Sequence, residues 1–246
     1  MTLYGKGLRP LSIATVLVLV GGFALALLYA PVDADQGVRQ KIFYVHVPMA
    51  IVALGGFVAG AWFAIQHLRT GDRRYDLRSY VAIHLSLILA VGVLITGSLW
   101  AKTAWGAWWV WDEPMLVSFL IVFLLYATYQ PLRFSIEDPE RQSRYASVFA
   151  IIAGAFVPLN LAAVRLAQSY IHPETFSQTA GGLPGSAMLA FVVCLAGMAM
   201  LFVTLWKYEM AAKHTRAQVK ALRRRLSGDA PAFATGARSA APRVTV

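Results

Sequence analysis

Apolar residues in this chain come in long blocks separated by short polar breaks. Six blocks of near twenty residues stand out, at positions 11–30, 47–68, 81–99, 115–132, 148–166 and 187–206. A helix rises about 1.5 Å per residue, so about twenty apolar residues cover the roughly 30 Å hydrocarbon core of a bilayer. Each block therefore predicts a transmembrane helix, and the chain reads as an all-α membrane protein with six of them.

The first block follows Lys6 and Arg9 and ends in small residues, which is also the outline of a secretory signal. Its length predicts a retained helix instead. If it were cleaved, five spans would remain and the basic residues would no longer sort to one side. With six spans and the N-terminus inside, all but Arg39, Lys41, Lys102 and Arg165 of the 22 Lys and Arg fall on the cytoplasmic side. That bias predicts an N-in, C-in topology. Three regions result: a cytoplasmic N-terminus (1–10), a six-helix domain (11–207) and a basic cytoplasmic tail (208–246). A Trp-rich segment (100–114) is then expected between helices three and four on the outer side.

Composition agrees with this class, since 58% hydrophobic and 14% charged residues fall outside the balance of soluble domains. A formal charge of +10 suggests nucleic acid in a soluble protein. Here it reports topology plus the tail around Lys220 to Arg225, and no nucleic-acid partner follows. The tail is predicted to continue the last helix over anionic lipid. After Ser227 the composition turns to Ala, Pro, Gly and Thr, which predicts a disordered end. The one cysteine, Cys194, lies mid-span as an apolar filler, and no Cys-x-x-Cys-His is present for covalent haem attachment.

Candidate chemistry gathers in three short outer segments, 31–46, 100–114 and 167–186. Five of the seven tryptophans fall in one run, Trp100-Ala-Lys-Thr-Ala-Trp105-Gly-Ala-Trp108-Trp109-Val-Trp111-Asp112. An interfacial belt uses one or two rings per helix end, whereas a block makes a platform for a large flat ligand. If the segment is helical, Trp105, Trp108 and Trp109 share one face with Trp111 on the flank. The plainer alternative is an aromatic girdle with a re-entrant turn at Trp105-Gly106.

Of the five histidines, His214 lies in the tail, His67 reads as a snorkelling interface residue and His84 as a helix-packing partner or a ligand. His46 and His172 lie on the outer side and flank the tryptophan block, as bis-imidazole ligation of haem iron requires. Haem propionates call for cations, and Lys41, Lys102 and Arg165 are the candidates; Arg165 and His172 share a face if helix five continues that far. Simple anchoring of helix ends is the alternative for each.

The tryptophan segment, from Gly97 to Asp112, resembles the WWD signature of haem-handling membrane proteins. Gln36-Gly-Val-Arg-Gln-Lys-Ile-Phe-Tyr-Val-His46-Val-Pro48 resembles the first histidine motif of the CcmC family, the haem exporter proteins C of cytochrome c maturation. The resemblance covers roughly residues 11–207. It implies a bacterial inner-membrane protein that holds haem b as cargo at the periplasmic face. Two axial histidines and the tryptophan domain would hold it for delivery to the haem chaperone CcmE, with CcmD and the ABC-type CcmA and CcmB as partners. It also implies transfer rather than turnover, with no catalytic residue. His46 matches the first family histidine, and Trp105, Gly106, Trp108, Trp109, Trp111 and Asp112 match the signature. His172, in Ser169-Tyr170-Ile171-His172-Pro173, corresponds to the second histidine by topology. After Asp112, where the family often carries a basic residue, this chain has Glu113-Pro114. Two rivals remain open: a CcsA-like haem channel and synthase drawing on His84 and His67, and a membrane haem b electron-transfer protein.

Overall fold

A computed structural model describes residues 5–167, 171–172 and 183–227. Its helices are α1 (Leu8–Ala24), running on into a π-helical turn (Leu25–Tyr29); α2 (Phe43–Thr70), entered through a 3-10 turn (Val38–Ile42); α3 (Arg73–Trp105); α4 (Pro114–Ala127) with the short α5 (Tyr129–Phe134) behind it; α6 (Pro139–Ala167); and α7 (Gly185–Leu226). Six helical stretches are long and apolar enough to cross a membrane. Five of the six predicted blocks fall wholly inside one of them, and the first, 11–30, overruns its helix by one residue at Ala30.

Local chemistry sets the ends of these helices. Gly71 closes α2 in the left-handed region at φ 70°, where a Cβ would be strained, and its N–H returns to the His67 carbonyl. Asp72 then caps α3, accepting from the Arg74 N–H at 2.8 Å. That amide is the main reason the Asp72 carboxyl lies below its ordinary value. Pro114 starts α4 at a position where its missing N–H costs nothing. The last helix continues through the basic residues to Leu226, as the sequence predicts; the stretch after Ser227 predicted to be disordered lies outside the described residues.

In a bundle without a water-driven hydrophobic effect between helices, close backbone approach replaces bulk. The antiparallel pair α2 and α3 shows it: a Cβ on Gly60 would sit 2.6 Å from Ile83, and Ser79 on α3 donates to the Gly60 carbonyl at 2.8 Å. The centre of the bundle is α2, which packs against α3, α6 and α7, while α1 packs along α7. Thr15 and Thr204 bond across that α1–α7 seam at 2.9 Å. Cys194 is buried there as a packing atom beside Gly22. Phe57 and Tyr126 stack at 3.8 Å in the main core.

At the end where α2 finishes and α3 starts, Arg133 grips Asp76 through two N–H···O bonds of 2.7 Å. Tyr129 Oη accepts from the same guanidinium at 3.2 Å. His67, expected to snorkel, is instead buried, with Nδ1 3.1 Å from the Asp72 carbonyl in the α2–α3 turn. His84 Nδ1 lies 3.2 Å from the Gln130 side-chain amide, and the ring stacks on Tyr80.

Candidate functional site

Antiparallel packing brings the ends of α1, α3 and α6 together with the starts of α2, α4 and α7. There the helices part around a cavity of about 910 Å³, near the top of the range of roughly 300–1,000 Å³ for small-molecule sites. Its floor is apolar, with Ala50, Leu54, Val93, Phe119 and Val157 reaching toward mid-bundle. His46, Trp100, Trp105, Trp109, Arg165 and His172 line it nearer the open end.

His46 sits in the first turns of α2, half-buried, with Nδ1 2.9 Å from Thr96 Oγ1 on α3. Thr96 Oγ1 is also 2.8 Å from the Gly92 carbonyl. The Val93 carbonyl lies 3.2 Å away as well; carbonyls can only accept, and a hydroxyl has a single hydrogen, so that hydrogen goes to this carbonyl pair, with Gly92 the nearer. The Thr96 oxygen is left to accept from His46 Nδ1–H, and Nε2 keeps its lone pair. Metal-ligating histidines are oriented by partners of this kind. One residue along α3, Gly97 leaves room for the ring: a Cβ there would press to 3.0 Å from His46 Cε1.

His172 lies in a bend beyond α6. Its ring is 6.2 Å from Trp100 and 6.3 Å from Trp105, centroid to centroid, and those two indoles meet edge-on at 4.8 Å. Glu113, wholly buried, holds the backbone behind it. One carboxylate oxygen accepts from the N–H of Ile171 at 2.8 Å and of His172 at 3.2 Å. The other faces the Met115 N–H at 3.4 Å in the first turn of α4.

A single helical face for Trp105, Trp108 and Trp109 is not what the chain forms. Gly106 adopts φ 78°, its N–H closes on the Lys102 carbonyl at 3.2 Å, and α3 stops at Trp105. Beyond that point the indoles diverge. Trp109 turns to the cavity, while Trp108 and Trp111 are 55% and 71% exposed. Asp112 is exposed as well.

Among the candidate cations, Arg165 lines the cavity. Lys41 donates to the carbonyls of Ala30 and Pro31 at 2.6 and 3.2 Å, tying down the end of α1. Lys102 donates to the Gly106 carbonyl at 2.9 Å and stands 6.0 Å from the Trp108 ring centroid. Arg39 reaches the Thr103 carbonyl. The condition for Arg165 and His172 to share a helical face is not met among the described residues, where α6 runs to Ala167 and His172 lies in a bend; Ser169, Tyr170 and Pro173 lie outside them.

Three residues at this site carry weight that the sequence alone does not assign. Trp100 was visible as a member of the tryptophan run, and Glu113 as a departure from the resembled signature. Thr96 left no signal, being an ordinary helix residue 50 positions from its partner.

A family model described as Heme exporter protein C matches residues 1–225. The chain belongs to the Heme exporter protein C family. Family relatives include the Heme exporter protein C of Rhodobacter capsulatus, 31% identical over 90% of this chain and 92% of its own length. That of Bradyrhizobium diazoefficiens is 31% identical over 90% of this chain and 84% of its own. The Heme exporter protein C of Escherichia coli is 29% identical over 84% of this chain and 90% of its own.

Proposed function

We propose that the cavity binds haem b as cargo for cytochrome c maturation, with His46 and His172 as axial ligands to iron. The observation that carries this reading is the convergence of two histidines, far apart in the sequence, on one tryptophan-lined cavity of about 910 Å³. A macrocycle supplies four ligands to iron, so two imidazoles complete its shell. His46 already presents Nε2 as the free donor because Thr96 takes Nδ1.

The rest of the wall suits a porphyrin. Trp100, Trp105 and Trp109 offer broad apolar faces with few rotatable bonds to freeze. Arg165 lines the cavity and would meet a propionate, while Lys41 and Lys102 are engaged with backbone carbonyls. Trp108, Trp111 and Asp112, exposed beside the cavity, would face an incoming partner.

The basic-residue sorting supports an N-in, C-in orientation in the bacterial inner membrane, which turns the cavity to the periplasm. The cargo would pass there to the haem chaperone CcmE, with CcmD, CcmA and CcmB as the associated release machinery, and the chain would act as a transfer subunit without turnover chemistry. The vinyl edge would face the periplasm, away from Arg165. A channel reading through His84 and His67 finds less support, because each of those rings already has a packing partner at the other end of the bundle.

The test is the absorption spectrum of the purified, haem-loaded protein. His46→Gly and His172→Gly should each lose the six-coordinate low-spin signature and regain it with free imidazole. Full pigment with an unchanged spectrum in the double variant overturns the reading.

A further inference from the structure

We propose that Glu113 is the positioning residue that sets the grip of His172 and links it to the exposed tip of the tryptophan segment, an inference that rests on the haem reading above. The carboxylate is wholly buried, and its two oxygens serve two different parts of the chain: the first turn of α4 through Met115, and the backbone of Ile171 and His172. A buried carboxylate stripped of its donors is costly, as are buried N–H groups stripped of their acceptor. Glu113 and the His172 backbone therefore stay together or move together.

On its other side Glu113 is covalently next to Asp112, which follows Trp111; both are exposed, and Trp111 leans on Trp109 at 6.0 Å. A partner that displaces this tip pulls on Glu113, and through its hydrogen bonds to the Ile171 and His172 amides on the backbone that carries the His172 ring. His46 is different. It is carried by the body of α2 and bonded to Thr96 on α3, and among the described residues it makes no hydrogen bond to the tryptophan segment. The two axial ligands thus respond unequally: His46 keeps the iron while His172 lets go. A cargo site must release one side before the other, and this wiring assigns the releasable side to His172.

The experiment uses the full chain loaded with haem and follows two readouts, the fraction of six-coordinate low-spin iron and the affinity of the ferrous form for carbon monoxide, which competes for the position His172 holds. Glu113→Ala should raise carbon monoxide affinity about tenfold, the low end of the usual effect of losing a ligand's supporting partner. Glu113→Gln, which keeps one acceptor oxygen, should fall between. Free imidazole should restore the low-spin form of Glu113→Ala, showing an intact pocket that lacks only its sixth ligand. In a His172→Gly background, Glu113→Ala should change nothing further. A bulky maleimide on Trp111→Cys, with Cys194 buried and shielded, should raise carbon monoxide affinity in the presence of Glu113 and not in its absence.

Wild-type carbon monoxide affinity in Glu113→Ala, an equal added loss without His172, or a maleimide effect independent of Glu113 each overturns the proposal. If His172→Gly itself leaves the spectrum unchanged, the haem-ligand reading fails instead, whatever Glu113 does.

Discussion

His46 on α2 and Thr96 on α3 share a contact of 2.9 Å whose direction is decided by a second bond, from the Thr96 hydroxyl to the Gly92 carbonyl at 2.8 Å. The hydroxyl is left as an acceptor, so the imidazole carries its proton on Nδ1 and offers Nε2 to the cavity. An ordinary helix threonine thereby fixes which ring nitrogen faces the cavity.

Replacing that threonine tests this arrangement. Thr96→Val keeps the shape and removes the acceptor, so haem affinity should fall on the order of tenfold, whereas Thr96→Ser should stay near wild type. Titration of the haem-free protein, followed by absorption, decides it; equal affinities for Val and Ser would remove the role.

Crowding the ring from the other side should act through geometry alone. A Cβ at Gly97 meets His46 Cε1 at 3.0 Å, so Gly97→Val should displace the imidazole and lower the six-coordinate fraction while helix content by circular dichroism holds. A wild-type spectrum in this variant would show that His46 has slack the packing does not suggest.

Arg165 offers a chemical control. If it meets a propionate, Arg165→Gln should cost about tenfold in haem affinity, the scale of a charge-assisted hydrogen bond of roughly 1.5 kcal/mol. The dimethyl ester of haem, which has no carboxylate, should bind both proteins alike. Equal losses with haem and with its ester would assign Arg165 to packing.

Stability should respond at the opposite end of the bundle. Arg133 and Asp76 form a buried bidentate pair with side chains 9% and 12% exposed, so removing one partner strands a charge. Asp76→Asn or Arg133→Met should each destabilise the protein by about 3–5 kcal/mol, and the double variant by much less than the sum. Thermal unfolding in detergent measures this, and the haem spectrum of the folded fraction should be unaffected, because the pair lies far from the cavity along the helices.

Much of the fold was legible before any contact was known. Apolar length is a property of consecutive residues, so the block at 47–68 announces α2 without reference to its neighbours. The tryptophan run was legible for the same reason, but its shape was not. Whether Trp108 continues a helical face depends on how Gly106 resolves its backbone, and the left-handed turn it adopts sends Trp109 inward and Trp108 outward. Lys41 and Lys102 read as equal partners to Arg165 because charge and spacing are all a sequence displays. Carbonyls at the ends of α1 and α3 claim the two lysines, and such claims exist only once the chain has folded.

The sequence by itself determined that six apolar helices form and that their charged ends sort to one side. It also determined that the unusual aromatic and histidine chemistry gathers at and between helix ends, since each of these follows from local composition measured against the thickness of a bilayer. Only the tertiary structure decided that His46 meets Thr96 and that Glu113 reaches across to His172. Hydrogen bonds between residues 50 and 59 positions apart depend on how helices pack, and no run of neighbouring residues records that packing.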